Sequence, residues 1–250
     1  MVGGYKGQTY WNTARRLARA SRGGGTTEDD GLKTVLSRIL TAAVVALGLA
    51  GAAGVPAAKA VVTAETTPDQ QQVLSQAERY INSIGTLQAR FLQLSSTGHS
   101  VEGDVFMHRP GRMRLEYEDA PILMVANGKH LIYVDQQLDQ VSYLGLDQTP
   151  VGVLLRANVS FADPDITVTG VRRASNVAEI DVVQTQDPGA GMLTLVFTEQ
   201  PFELRQWRVR DAQNVETAVS LFNARTGMDL PGSLFQFSES RDRINPMGRK

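Results

Sequence analysis

The chain of 250 residues has no cysteine, three histidines and few aromatics (6%). Each shortage excludes something. Without cysteine there is no disulfide, no thiol chemistry and no Cys-based zinc site. A self-anchored lipoprotein is excluded too, because its acyl groups would need a cysteine at the processed N-terminus. His99, His108 and His130 fall at a turn, near a strand end and beside a hairpin, with no metal-ligand spacing. Asp163-Pro164-Asp165 lacks the partner residues of a calcium loop and reads as a turn. No nucleophile elbow, paired-carboxylate arrangement or glycine-rich phosphate loop opens a helix. The sequence therefore gives no positive argument for an enzyme, a cofactor or a metal.

Strong charge is also missing, but the formal net charge of −1 conceals two unlike parts. Residues 1–60 hold eight Lys and Arg against three acidic residues, a net of +5. Residues 61–250 hold seventeen basic against twenty-three acidic residues, a net of −6. An acidic body offers no basic face for nucleic acid.

The front of the chain reads as an export signal. Ile39 to Ala57 is continuously small and apolar, with Lys33 and Arg38 before it. Ala58-Lys59-Ala60 supplies a small-x-small cleavage site, so processing after Ala60 is expected. The other reading of the run is a membrane anchor. Its Ala/Gly content, Pro56 and minimal length favour cleavage. Residues 1–30 are Gly- and Arg-rich and too long for an ordinary n-region. The expected organisation is an extension and signal over 1–60, one domain over 61–240 and a flexible tail over 241–250.

The mature chain opens with one helical pattern. Val73, Leu74, Ala77, Tyr80, Ile81 and Ile84 form an apolar stripe. Thr67 or Asp69 can cap it, Pro68 suits its first turn and Gly85 its end. From Thr86 the period becomes two. About ten strands follow, separated by turns such as Pro110-Gly111, Asn127-Gly128 and Asp187-Pro188-Gly189. In "RMRLEYE", Met113, Leu115 and Tyr117 share one face, and Arg112, Arg114, Glu116 and Glu118 the other. Thr149 to Arg156 breaks the rhythm and reads as a short helix. Short connections predict an antiparallel meander, and that many twisted strands curl. The expected fold is mainly β (α+β): an incomplete, strongly curved antiparallel barrel of about ten or eleven strands, with helices as a lid over its concave side.

The inward rows carry medium-sized apolar residues: Val105, Met107, Met113, Leu115, Leu193, Leu195 and Phe197. Such rows make an ordinary core or the lining of a cavity for a greasy ligand. Parity places Arg109 in line with Val105 and Met107. An inward guanidinium must be hydrogen-bonded or paired, and it has five donors and no acceptor. Two readings stay open: a buried arginine held by acidic groups or by carbonyls of a covering helix, and an arginine snorkelling at the rim.

The combination of "LQARFLQ", "EGDVFMHRPGRMRLEY" and "ILMVANGKHLIYVDQQLDQV" resembles the periplasmic outer-membrane lipoprotein carriers of the LolA family. The resemblance runs from about Val73 to Phe237. It implies a monomeric, non-catalytic periplasmic carrier. Such a carrier takes acylated lipoproteins from an inner-membrane ABC-type release complex and delivers them to an acceptor lipoprotein in the outer membrane. It implies that Arg109, with Pro110, latches a lid through backbone carbonyls. It also implies that Phe91, Val105, Met107, Met113, Leu115, Leu193, Leu195 and Phe197 line an acyl cavity. Met113 and Leu115 depart from the family's often aromatic residues there. The alternative is a periplasmic or membrane-anchored module that senses lipids or lipoproteins with the same fold.

Overall fold

A computed structural model describes residues 66–238. The expected leader, its expected cleavage site after Ala60 and the expected tail over 241–250 lie outside them. Helix α1 spans Pro68–Ser83. Eleven strands follow: β1 Thr86–Ser95, β2 Ser100–His108, β3 Arg112–Tyr117, β4 Ile122–Asn127, β5 His130–Asp135, β6 Gln140–Gly145, β7 Ile166–Ala174, β8 Val177–Gln184, β9 Gly191–Glu199, β10 Phe202–Asp211 and β11 Glu216–Thr226.

The cap of α1 is made by Thr67 rather than Asp69. Its side chain accepts from the Gln70 amide while the Gln70 side chain accepts from the Thr67 amide, so two orphan donors are satisfied together. The helix ends without a left-handed glycine. Ile84 turns extended at φ −85°, ψ 105°, and Gly85 follows with no positive φ. Val73, Ala77, Ile81 and Ile84 are buried on one side. Burying each of the larger three stabilises the docked helix by about 2 kcal/mol. Tyr80 packs edge-on against Phe197 and Phe202, which stack on each other with centroids 5.0 Å apart.

All eleven strands form one antiparallel sheet in the order β6-β5-β4-β3-β2-β1-β11-β10-β9-β8-β7. The predicted meander is therefore two meanders, β1–β6 and β7–β11, joined where β1 pairs with β11. The sheet curls but stays open, and its free edges are β6 and β7. The connection between them, residues 146–165, holds the predicted short helix over Thr149–Arg156. A short helix does stand there, as a 3-10 turn over Pro150–Val153 with Thr149 before it and Pro150 in its first turn, and another 3-10 turn, Leu146–Gln148, precedes it. Gly152 permits the chain to pass this close to itself. Its Cα lies against the Leu146 carbonyl, too close for an added Cβ.

The outward face of β3–β5 differs from the polar face expected. Arg114 is buried, with its Nε bonded to Glu116 at 2.6 Å. The C-terminal segment crosses here, with a 3-10 turn at Gly232–Phe235. Leu123, Val125, Ile132 and Val134 form a second apolar cluster with Val141 and Phe237. Strands β4 and β5 are thus covered on both faces, which accounts for the unbroken apolar run "ILMVA".

On the opposite half, Asp181 of β8 receives Arg172 from β7 and Thr194 from β9, the latter at 2.6 Å. Burial alone would raise this carboxyl, but the Arg172 and Thr194 hydrogen bonds outweigh it and hold it below the usual aspartate value. Its folded pKa is depressed, so its contribution to stability is present above the unfolded pKa and lost as pH falls through the folded one. Acid titration below about pH 4 is therefore expected to destabilise the wild type more steeply than Asp181→Asn, as read by denaturant midpoints at successive pH values.

Candidate functional site

The inward rows and the covering elements meet at the C-terminal end of α1. The last carbonyls of a helix lack intrahelical donors and carry the negative end of its dipole. No basic residue lies in the last turn of α1. Arg109, just past the end of β2, supplies the missing cation from another element.

Arg109 is 8% exposed. Its Nη1 donates to the carbonyls of Ile81 and, at 3.4 Å, Ile84. Its Nη2 donates to Asn82 Oδ1 at 3.1 Å. Its Nε and Nη2 both reach the Arg156 carbonyl, at 3.1 and 2.5 Å. One planar guanidinium thus ties the end of α1 to the segment that follows the 3-10 turns. Every acceptor is neutral, and burial lowers the arginine's pKa from its ordinary value. A buried charge held only by dipoles gains much less than one in a good ion pair. The closed arrangement is consequently held firmly in geometry and modestly in free energy.

Around Arg109 the backbone joins the same elements. The Arg109 amide donates to the Gly85 carbonyl and the Gly111 amide to the Leu155 carbonyl, both at 2.8 Å. Pro110 follows Arg109 through a cis peptide bond and lines a surface cleft of about 480 Å³, shared with Gly128, Leu155 and Arg156.

The residues predicted to line the concave side come together. Phe91, Val105, Met107, Met113, Leu115, Leu193, Leu195 and Phe197 are each 3% exposed or less, and they belong to one cluster. That cluster also contains Val73, Ala77 and Ile81 of α1 and Val153, Leu154, Leu155, Val159 and Phe161 of the connecting segment. The apolar side chains of α1 and the connecting segment occupy the space against the sheet. In this structure the inward rows are a packed core.

Sequence reasoning missed Asn82. Its Oδ1 accepts from both Arg109 and the Val159 amide, and its Nδ2 donates to the Val159 carbonyl at 2.9 Å. Glu78 likewise accepts from the Phe161 amide at 2.6 Å. Both lie on α1 at positions outside the apolar stripe, and nothing in the helical period marks their partners some eighty residues away. The Leu154-Leu155 pair was the available signal for the covering segment, because two adjacent leucines cannot both face water without cost.

A family model described as "Outer membrane lipoprotein carrier protein LolA" matches residues 82–238 of this chain. An outer-membrane lipoprotein carrier protein of Methylococcus capsulatus is 29% identical over 185 residues, which cover 70% of this chain and 85% of that one. A protein of the same name from Pseudomonas paraeruginosa is 27% identical over 198 residues, covering 72% and 90%. Among solved structures, a LolA superfamily protein from Nitrosomonas europaea aligns at a TM-score of 0.41 and 13% identity, covering 67% of this chain and 97% of that one.

Proposed function

This chain belongs to the LolA family of outer-membrane lipoprotein carrier proteins, and from that premise we propose that it is a periplasmic carrier of acylated lipoproteins. It takes cargo released from the inner membrane by an ABC-type complex, shields the acyl chains and delivers them to an acceptor at the outer membrane. It does so without catalysis and as a monomer, exported by a signal removed after Ala60.

The observation that supports this reading is the double use of the concave face. The inward rows are mostly apolar, and the elements covering them are α1 and a short 3-10 segment, tied together by Arg109 through neutral acceptors. Each acyl methylene left in water costs about 0.8 kcal/mol, so a lipoprotein cannot cross an aqueous gap bare. A carrier must bury those chains and still let them go. A lid whose own leucines and phenylalanine replace the cargo in the empty form supplies the competing state.

Mass spectrometry of the protein purified from periplasm is expected to find acylated lipoprotein bound to it, and N-terminal sequencing to begin at Val61. Protein that is never accompanied by an acylated species, under conditions where its cargo is being exported, defeats the carrier reading.

A further inference from the structure

The concave interior is not uniformly apolar. Away from the Arg109 end, the inward rows include buried polar side chains, among them Gln93 on β1, Tyr117 on β3 and Tyr133 on β5. The Tyr117 hydroxyl donates to Gln93 Oε1 at 2.9 Å and lies 3.8 Å from the Met124 sulfur. Met124 pairs across the strands with Leu115 on one side and Tyr133 on the other. The Tyr133 side chain is 2% exposed, and its hydroxyl, sealed from solvent, has no hydrogen-bond partner.

An unpaired buried hydroxyl is costly, and a phenylalanine would fill the same space without that cost. The orphan is a donor set beside Met124 and, two residues along the same row, the buried Asp135 carboxylate, whose Oδ1 accepts from the Gln137 and Leu138 amides. Burial, and then the nearby Asp135, pushes the Tyr133 phenol up, and burial and then Tyr133 pushes Tyr117 up. Both stay protonated and able to donate at neutral pH. An acyl chain is the complementary object. It is apolar along its length and ends in an ester or amide carbonyl, which accepts but cannot donate. Buried alone, that carbonyl would carry the same penalty as the hydroxyl.

We propose that Tyr133 Oη, with the Tyr117–Gln93 pair beside it, forms a polar station inside the carrier that binds the carbonyl oxygen at the head of an acyl chain. The inference rests on the acyl-carrier reading above and adds a chemical preference to it: carbonyl-linked chains over chains of equal length without the carbonyl. Two unsatisfied groups become one hydrogen bond when cargo is in place.

The test uses the mature chain and an equimolar mixture of two probes, a diacylglycerol with ester-linked chains and the ether-linked dialkylglycerol of the same chain length. Native mass spectrometry reads the ratio of the two bound species. The wild type is expected to favour the ester about tenfold, the usual scale of one hydrogen bond to a buried donor. Tyr133→Phe is expected to bring the ratio near one by lowering the bound ester about tenfold, with the bound ether lipid no lower than in the wild type. A ratio near one in the wild type, or a Tyr133→Phe variant that keeps the preference, overturns the proposal. Binding of neither lipid defeats the carrier reading itself and the station with it. Thermal melting provides the second readout. Tyr133→Phe is expected to melt at or above the wild-type temperature, because an orphan polar atom is removed. A drop of several degrees would mean that the hydroxyl is satisfied in the empty protein, which also overturns the proposal.

Discussion

Arg109→Leu is expected to give a folded carrier that loads with lipoprotein but passes it to the outer-membrane acceptor roughly thirtyfold more slowly, equivalent to about 2 kcal/mol. The magnitude comes from what the side chain does in the closed form. It supplies donors to the carbonyls of Ile81, Ile84 and Arg156 and to Asn82 Oδ1. Hydrogen bonds from a charged group contribute about 1.5–3 kcal/mol each, and burying the charge takes most of that back. Leucine restores apolar volume but leaves those carbonyls without a donor in the closed form alone. The equilibrium then moves toward the open form, and a protein with no favourable empty state holds its cargo longer. Arg109→Lys keeps the charge and loses the planar fork, so it should fall between the two. The measurement is transfer from preloaded protein to acceptor. Wild-type transfer by the leucine variant would remove Arg109 from any part in release.

Gly103→Ala is expected to lower stability by about 3 kcal/mol, among the largest effects of any single methyl in the described residues. Gly103 occupies an inward position of β2, between Val101 and Val105. A Cβ there would collide with the Glu116 carbonyl oxygen and come within 2.7 Å of the Phe91 ring. The first obstacle is backbone of the neighbouring strand and cannot rotate away. The Phe91 ring fills the place where a side chain would stand and meets Tyr117 edge-on at 5.2 Å. Glycine allows the two strands to close on each other at this point, as curled sheets require. Gly85→Ala is the matched control. An added methyl there meets nothing within 4 Å, so a change under about 0.5 kcal/mol is expected. Denaturant midpoints with unchanged slope would compare the two. Equal stability of Gly103→Ala and wild type would refute the packing argument.

The parts of the fold that follow from local periodicity were legible in the sequence. Alternation marked the strands because one face of most of them is buried and the other wet. The apolar stripe from Val73 to Ile84 marked α1 for the same reason. What depended on distant chain was not legible. Arg114 reads as a surface residue by parity, and only the return of the C-terminal segment buries it. Thr149–Arg156 has a helical apolar spacing, but nothing in it tells a 3-10 turn, as at Pro150–Val153 with Gly152 close against the Leu146 carbonyl, from an α-helical one. The inwardness of Arg109 followed from its place after Val105 and Met107. Its acceptors did not, since backbone carbonyls leave no trace in residue identity. Asn82 escaped notice for a related reason. An asparagine near a helix end has many ordinary explanations, and its bonds to Val159 span seventy-seven positions.

The seam between β6 and β7 has a mechanical meaning. Ten strand pairings hold the sheet, and none of them crosses that gap. Spreading the two edges apart bends the sheet like a leaf spring but breaks no ladder bond. The restraints that would yield include the bonds around Arg109 and Asn82, the Glu78–Phe161 and Gln184–Thr149 bonds and the apolar contacts of α1 and residues 146–165. In the proposed carrier, capacity would then grow by a continuous change of curvature with the backbone network intact, and cargo of differing bulk would meet a graded elastic resistance rather than a wall of fixed diameter.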